Sequence, residues 1–400
     1  MTWGPTDQQQ QGYAAWPPSA AGYEPAPVPG NPTPRPMMRG WVITGLAVLG
    51  FAAAGLVLAA YYGLTLGVVT SLLAVLLAAI PLAVVIPTFL WLDRYEAEPT
   101  KYLVTAFLWG ALIAAVLAGL VNTSAQVVFA TATDPEQAAL ATAVFSAPVV
   151  EEAAKGLLVL LVWRLRRREF DGIIDGMVYA GIVAAGFAFT ENIQYLGLAY
   201  QEGGEQVLTA VFLARCLVTP FAHPIFTVMF GIGVGVAATS RSGLVRFVAP
   251  VAGFVLAVLL HGIWNLAAVT GGQGFVTVFL LVEVPIFLAF IGLIVWARRR
   301  EGQLIGRYLM PYADAGWLSP AEVHMLSRMS LRRRARVWAR QAGGRRALAS
   351  MRSFQDAASE LALLRLRMYH SAADAHALET ERRLLDTIVT RRHEFTGAPY

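Results

Sequence analysis

Cysteine is almost absent: Cys216 is the one thiol in 400 residues, so no intrachain disulfide can form and the fold must be held by packing. Charge is scarce as well. Asp, Glu, Lys and Arg make up 14% of the chain against 56% hydrophobic residues, and mean hydropathy is +0.55. That balance excludes an ordinary soluble domain and fits a polytopic membrane protein. Lysine is nearly missing, with Lys101 and Lys155 standing beside abundant arginine and alanine, a usage that fits a high-GC bacterial genome. The net charge of +5 is small, and the segment after Trp296 is where arginine concentrates. Nucleic acid is therefore not an expected partner.

What is present divides the chain in three. Residues 1–39 are rich in Gln, Pro, Ala, Gly and Tyr, a composition that cannot bury a core and predicts a disordered head. From 40 to 298, apolar runs long enough to cross ~30 Å of hydrocarbon follow one another. Eight spans are predicted, near 41–61, 65–92, 102–122, 139–163, 173–199, 206–238, 246–269 and 274–297. Residues 299–400 show apolar positions at helical spacing, a Ser319-Pro320 helix start and the basic run LRRRARVWARQ, which predicts a small helical domain whose arginines meet solvent or anionic lipid. The fold class is all-α.

Loop charges orient the bundle, because lysine and arginine concentrate on the cytoplasmic side. The connections at 93–101, 164–168, 241–246 and 298–300 carry the arginines, whereas YYGLTLG, NTSAQ, TDPEQ, QEGGEQ and VTGGQG have neither arginine nor lysine. The expectation is a multi-pass protein of the bacterial plasma membrane with both termini cytoplasmic.

Ionisable side chains within a bilayer are costly and usually face an interior site. The spans hold Glu151, Glu152, Lys155, Asp175, Glu191, His223, His261 and Glu283. Glu151 lies thirteen residues before Arg164, Glu191 sixteen after Asp175, and His261 fifteen after Arg246; His223 lies about fifteen before the boundary at 238–241. At 1.5 Å per residue all four reach a common depth roughly 20 Å from the cytoplasmic face. A shared layer of this kind points to one site. In PVVEEAAKG, Glu151 and Lys155 share a helix face and Glu152 is turned away, so one carboxylate can pair with the lysine and leave the other for chemistry. In HGIWN, His261 and Asn265 are four apart and point the same way. Asp171, Asp175 and Tyr179 read as an anchor for a helix end, GIGVG at 231–235 as a close-packing face, and the tail histidines as solvent-exposed. Glu283 reads equally as structural or functional.

These motifs resemble the PrsW family of membrane proteases, kin of the CAAX-processing and bacteriocin-processing membrane peptidases. The resemblance runs from about Asp93 to Asn265 through DRYEAEP, PVVEEAAK, DGIIDGMVYAGIVAAGFAFTEN, the histidine of AHPIFT, and HGIWN. It implies peptide-bond hydrolysis in or near the membrane, acting on a membrane-associated protein such as an anti-sigma factor. Carried over by position, the catalytic set is Glu151, Glu152, His223 and His261, with Glu191 and Asn265 in support. The CAAX-type relatives tend to carry arginine after the paired glutamates, where this chain has Lys155, as PrsW does. Two chemistries use these residues. In one, a glutamate is the base and His261 with Asn265 stabilises the oxyanion; in the other, His223, His261 and Glu151 hold Zn2+. No HExxH motif is present. A proton-coupled transporter and a non-catalytic sensor or scaffold are the rival readings.

Overall fold

The computed structural model describes residues 37–95, 97–166, 170, 172–369 and 376–396. Residues 1–36 of the predicted head lie outside them, as do Arg167, Arg168, Asp171 and His370, while 37–39 already belong to the first helix. Among the described residues all regular structure is helical. The order is α1 (Met37–Thr65), α2 (Val68–Ala79), α3 (Leu82–Leu92), α4 (Thr100–Leu108), α5 (Ala115–Ala130), α6 (Pro135–Ala141), α7 (Ala147–Leu165), α8 (Ile173–Phe212), α9 (Ala222–Thr239), α10 (Gly243–Thr270), α11 (Gly272–Val278) and α12 (Val284–Asp314). Then come α13 (Pro320–Leu326), α14 (Met329–Tyr369) and α15 (Ala377–Thr396). Wide π turns at Trp109–Ala114, Thr142–Ser146 and Phe279–Glu283 link successive helices without breaking them, and a fourth, Leu213–Val218, prolongs α8 and ends in a break at Thr219.

Among the described residues, six helical stretches are long and apolar enough to cross a membrane, against the eight spans read from sequence. The difference has two sources. Helix α7 falls out because Glu151, Glu152 and Lys155 interrupt its apolar run, and the fifth and sixth predicted spans lie within one stretch, Ile173–Thr239. Inside that stretch the backbone leaves helical geometry at Gly203 and Gly204, the latter at φ 60, a conformation that glycine adopts without steric cost. Two boundaries also move. The third apolar helix continues past 122 to Ala130, and the last continues to Asp314.

The membrane unit comprises residues 34–93 and 98–294, with α8 as its buried axis. Glycine is what lets neighbours approach it. A Cβ on Gly176 would lie 2.0 Å from the Gly231 carbonyl oxygen, and one on Gly110 would lie 1.9 Å from that of Val183. The backbones of α8 and α9 therefore touch, as the GIGVG pattern predicted. At the start of α8, Asp175 Oδ2 accepts from Gly172 N at 2.8 Å, and the Tyr179 hydroxyl donates to Glu98 Oε2 at 2.7 Å, so this end is an anchor.

The second unit takes in residues 295–400 and the short segment 94–97. Its core is Ile305, Leu309, Tyr312, Trp317, Leu326, Phe354 and Leu361, joined by Tyr95 from between α3 and α4. The Tyr95 hydroxyl donates to the Ser327 carbonyl at 3.0 Å. Helix α13 begins as predicted: Ser319 and Glu322 cap each other reciprocally, with Pro320 in the first turn. Arg332 is fully buried and donates to Ser359 Oγ at 2.7 Å; burial pulls its guanidinium down to about 10.

Candidate active site

Helix α7 delivers Glu151, Glu152 and Lys155 to the interior, and all three are buried. α8 contributes Glu191, α9 His223 and Thr227, and α10 His261. The four-residue layer and Glu191 come together through direct contacts. Lys155 Nζ donates to Glu152 Oε1 at 2.7 Å and lies 3.6 Å from Glu151 Oε2. The pairing is thus the reverse of the sequence reading, in which Glu152 turns away from the lysine. Positions i+3 and i+4 both neighbour a residue on a helix, and the side-chain rotamers select the former.

Glu152 is the more committed carboxylate. Its Oε1 also meets His261 Nδ1 at 3.0 Å, and its Oε2 accepts from the Thr227 hydroxyl at 2.7 Å. An ionised carboxylate only accepts, so Nδ1 of His261 carries a proton, and in the neutral imidazole the lone pair lies on Nε2. That Nε2 is buried without a hydrogen-bond partner, 3.7 Å from Glu151 Oε2, which is likewise buried and unpartnered. His223 repeats the arrangement in mirror fashion: its Nε2 meets Glu191 Oε2 at 2.7 Å, leaving Nδ1 to face Lys155 Nζ at 3.3 Å. Each imidazole therefore carries a carboxylate on one nitrogen and presents the other. One ligand atom each from Glu151, His223 and His261 falls within 4.8 Å of the other two.

The walls are apolar. The Phe226 ring stacks on His261 at 5.4 Å, and the Phe187 ring lies 4.1 Å from Lys155 Nζ. In such a medium charges act at low screening. Three carboxylates, Glu151, Glu152 and Glu191, face two fixed cations, Lys155 and Arg215. Two histidines and a carboxylate that converge within 4.8 Å, with Glu151 Oε2 and His261 Nε2 free of hydrogen bonds and each histidine backed by a second carboxylate, make a donor set that fits a divalent metal.

Several contributors escaped the sequence reading. Arg215, from the π turn before α9, forms an ion pair with Glu191, and its Nε donates to Asn192 Oδ1 at 2.9 Å. Asn122, at the boundary of the predicted span 102–122, donates to Glu151 Oε1 at 3.4 Å and accepts from Ser146 Oγ at 3.2 Å. Asn265, by contrast, does not join the cluster: its amide donates to the Ala143 carbonyl at 2.8 Å. It sits one turn beyond His261, about 6 Å along the axis, where it braces α10 against the turn at 142–146. Glu283 is buried with Oε1 unpartnered, apart from the contacts described above. A cleft opens beside His223, lined also by Asn192, Arg215, Thr219, Pro220 and Trp264.

Residues 98–324 match the model of the PrsW family intramembrane metalloproteases, and that span contains every member of the cluster. The chain belongs to the PrsW family. It is 34% identical over 173 residues to Protease PrsW of Geobacillus kaustophilus (strain HTA426), covering 43% of this chain and 69% of that protein. Against Protease PrsW of Oceanobacillus iheyensis it is 29% identical over 198 residues, covering 48% of this chain and 82% of the relative. No solved structure matches. As a member of the PrsW family the protein is a multi-pass intramembrane protease, and its substrate is a protein of the membrane. The transporter and scaffold readings give way to it.

Proposed function

We propose that this PrsW-family protease cleaves its substrate at the Glu151–His223–His261 cluster, with those three side chains holding Zn2+. The observation that carries the reading is the pair of buried atoms without hydrogen-bond partners, Glu151 Oε2 and His261 Nε2, facing each other at 3.7 Å with Lys155 Nζ 3.6 Å from the carboxylate oxygen. A divalent ion there supplies Lewis acidity toward a peptide carbonyl and acidifies water. The chain's own groups do the orienting. Glu152 fixes the His261 tautomer, Glu191 fixes that of His223, and Asn122 with Ser146 restrains Glu151 Oε1. Phe187 and Phe226 exclude water from the inner face. This assigns Glu152 to positioning instead of the base role expected from the motif, because both its oxygens are already engaged. Asn265 is assigned to bracing. The purified protein should contain about one zinc per chain by elemental analysis, and chelation should remove metal and activity together. Full turnover by metal-free protein would return the mechanism to glutamate and water alone.

The substrate we infer is a membrane-anchored regulator of the anti-sigma-factor type, an inference that rests on the family resemblance. Topology follows the loop charges: eight crossings, with the head and the domain at 299–400 both cytoplasmic. Reporter fusions near Asp134 and after Thr270 should read external, and fusions after Arg300 cytoplasmic. An external tail would overturn this orientation.

A further inference from the structure

Arg215 is a full positive charge inside an apolar stretch, and its place is not explained by the ion pair with Glu191 alone. Three contacts hold its guanidinium still. Nη2 pairs with Glu191, Nε donates to Asn192 Oδ1 at 2.9 Å, and the plane lies 3.9 Å from the Tyr195 ring centroid. The remaining nitrogen, Nη1, engages no acceptor among the described residues, and the side chain lines the cleft beside His223 at 15% exposure. An arginine so restrained is a donor whose orientation is set before anything enters the cleft. The other cleft side chains with polar atoms are occupied or weaker. The Thr219 hydroxyl donates to the Ala214 carbonyl at 2.9 Å, and Asn192 Oδ1 is taken by Arg215 itself. Asn265, the donor expected for the oxyanion, is bound to Ala143. Among the described residues lining the cleft, Arg215 is therefore the one fixed cation, beside neutral donors on Asn192 Nδ2 and Trp264 Nε1.

We propose that Arg215 is a substrate-contacting residue, donating from Nη1 to the carbonyl oxygen of the bond being cleaved and strengthening that contact as the oxygen gains negative charge. The inference rests on the hydrolytic reading of the cluster. No bond to Arg215 forms or breaks; the guanidinium stays protonated and acts as a preorganised charge, the kind of donor whose removal costs a factor of about 10² to 10³ in kcat. Its alternative is that Arg215 only holds Glu191, and through it His223.

The two roles separate in a double-mutant cycle on the full-length, zinc-supplemented protein in detergent micelles. The probe is a proteome-derived peptide library, with products identified by mass spectrometry and one cleaved peptide resynthesised for kcat and KM. If Arg215 reaches the substrate, Arg215→Gln lowers kcat by about 10² or more at unchanged zinc content. Arg215→Gln then costs at least a further ~10-fold on a Glu191→Gln background, and Arg215→Lys recovers part of kcat because it keeps the charge without the fork. No further loss in the double variant would make Arg215 a prop for Glu191 and overturn the inference. So would wild-type kcat for a folded Arg215→Gln protein. Equal rates for wild type and Glu151→Gln would instead strike the hydrolytic reading of the cluster, so the two failures are distinct.

Discussion

Glu151→Gln should lower peptide hydrolysis by a factor of about 10² to 10⁴ and strip the bound metal, while Glu152→Gln should cost only about 10- to 100-fold in metal affinity or rate. The asymmetry comes from the two carboxylates' partners. Glu151 keeps Oε1 on Asn122 and presents an unpartnered Oε2 to His261 Nε2; an amide there replaces an acceptor by an N–H donor aimed at Lys155 and the histidine. Glu152 is surrounded by donors from Lys155, His261 and Thr227, and an amide oxygen can still accept at least one of them. His261→Ala should match Glu151→Gln, since it removes the facing lone pair. The checks are initial rates on a resynthesised substrate and zinc content of the same preparations. A silent Glu152→Gln enzyme beside a Glu151→Gln enzyme of near wild-type rate would exchange the roles of the two carboxylates.

The depth of the layer was legible because it depends on counting alone. Charges at the helix ends, Arg164 and Arg246, and a constant helical rise place Glu151 and His261 together, and the structure brings them to 3.7 Å. What periodicity cannot carry is rotamer choice and local winding. Lys155 has neighbours at both i−3 and i−4, and no helical wheel ranks them; contact with His223 and the Phe187 ring settles its head group on Glu152. Asn265 shares a helical face with His261 but lies a turn away, where the carbonyl of Ala143 stands opposite.

Arg215 and Asn122 were missed for different reasons. Asn122 opens a polar run, NTS, that reads as a loop, yet α5 continues through it to Ala130 because the bundle supplies Ser146 and Glu151 as partners. Arg215 was hidden by treating 206–238 as one apolar span; an intramembrane cation far from any loop was itself the signal. Its direction is set by the π turn Leu213–Val218 and the break at Thr219, neither of which periodicity encodes. The tail core has a long-range part as well. Tyr95 stands more than two hundred residues from Ser327 in the chain and bonds its carbonyl, so the segment between α3 and α4 reads as a simple loop until it is seen packed.

Lys155→Met should destabilise the protein by about 3–5 kcal/mol, the usual consequence of removing one partner from a buried ion pair. The ammonium is fully buried, 2.7 Å from Glu152 Oε1 and 3.3 Å from His223 Nδ1, and methionine fills most of its volume while supplying no charge. The loss therefore falls on Glu152, a carboxylate at 0% exposure left with His261 and Thr227 as its remaining donors. If that uncompensated charge is the origin of the effect, neutralising it should undo much of the damage. Lys155→Met combined with Glu152→Gln should recover at least ~1–2 kcal/mol relative to the single variant, without restoring hydrolysis, because His261 loses its ionised partner. Unfolding of the purified variants in mixed micelles, followed by denaturant titration, measures both quantities. Simple additivity of the two substitutions would mean that Lys155 stabilises the fold by packing against Phe187 instead of by neutralising Glu152.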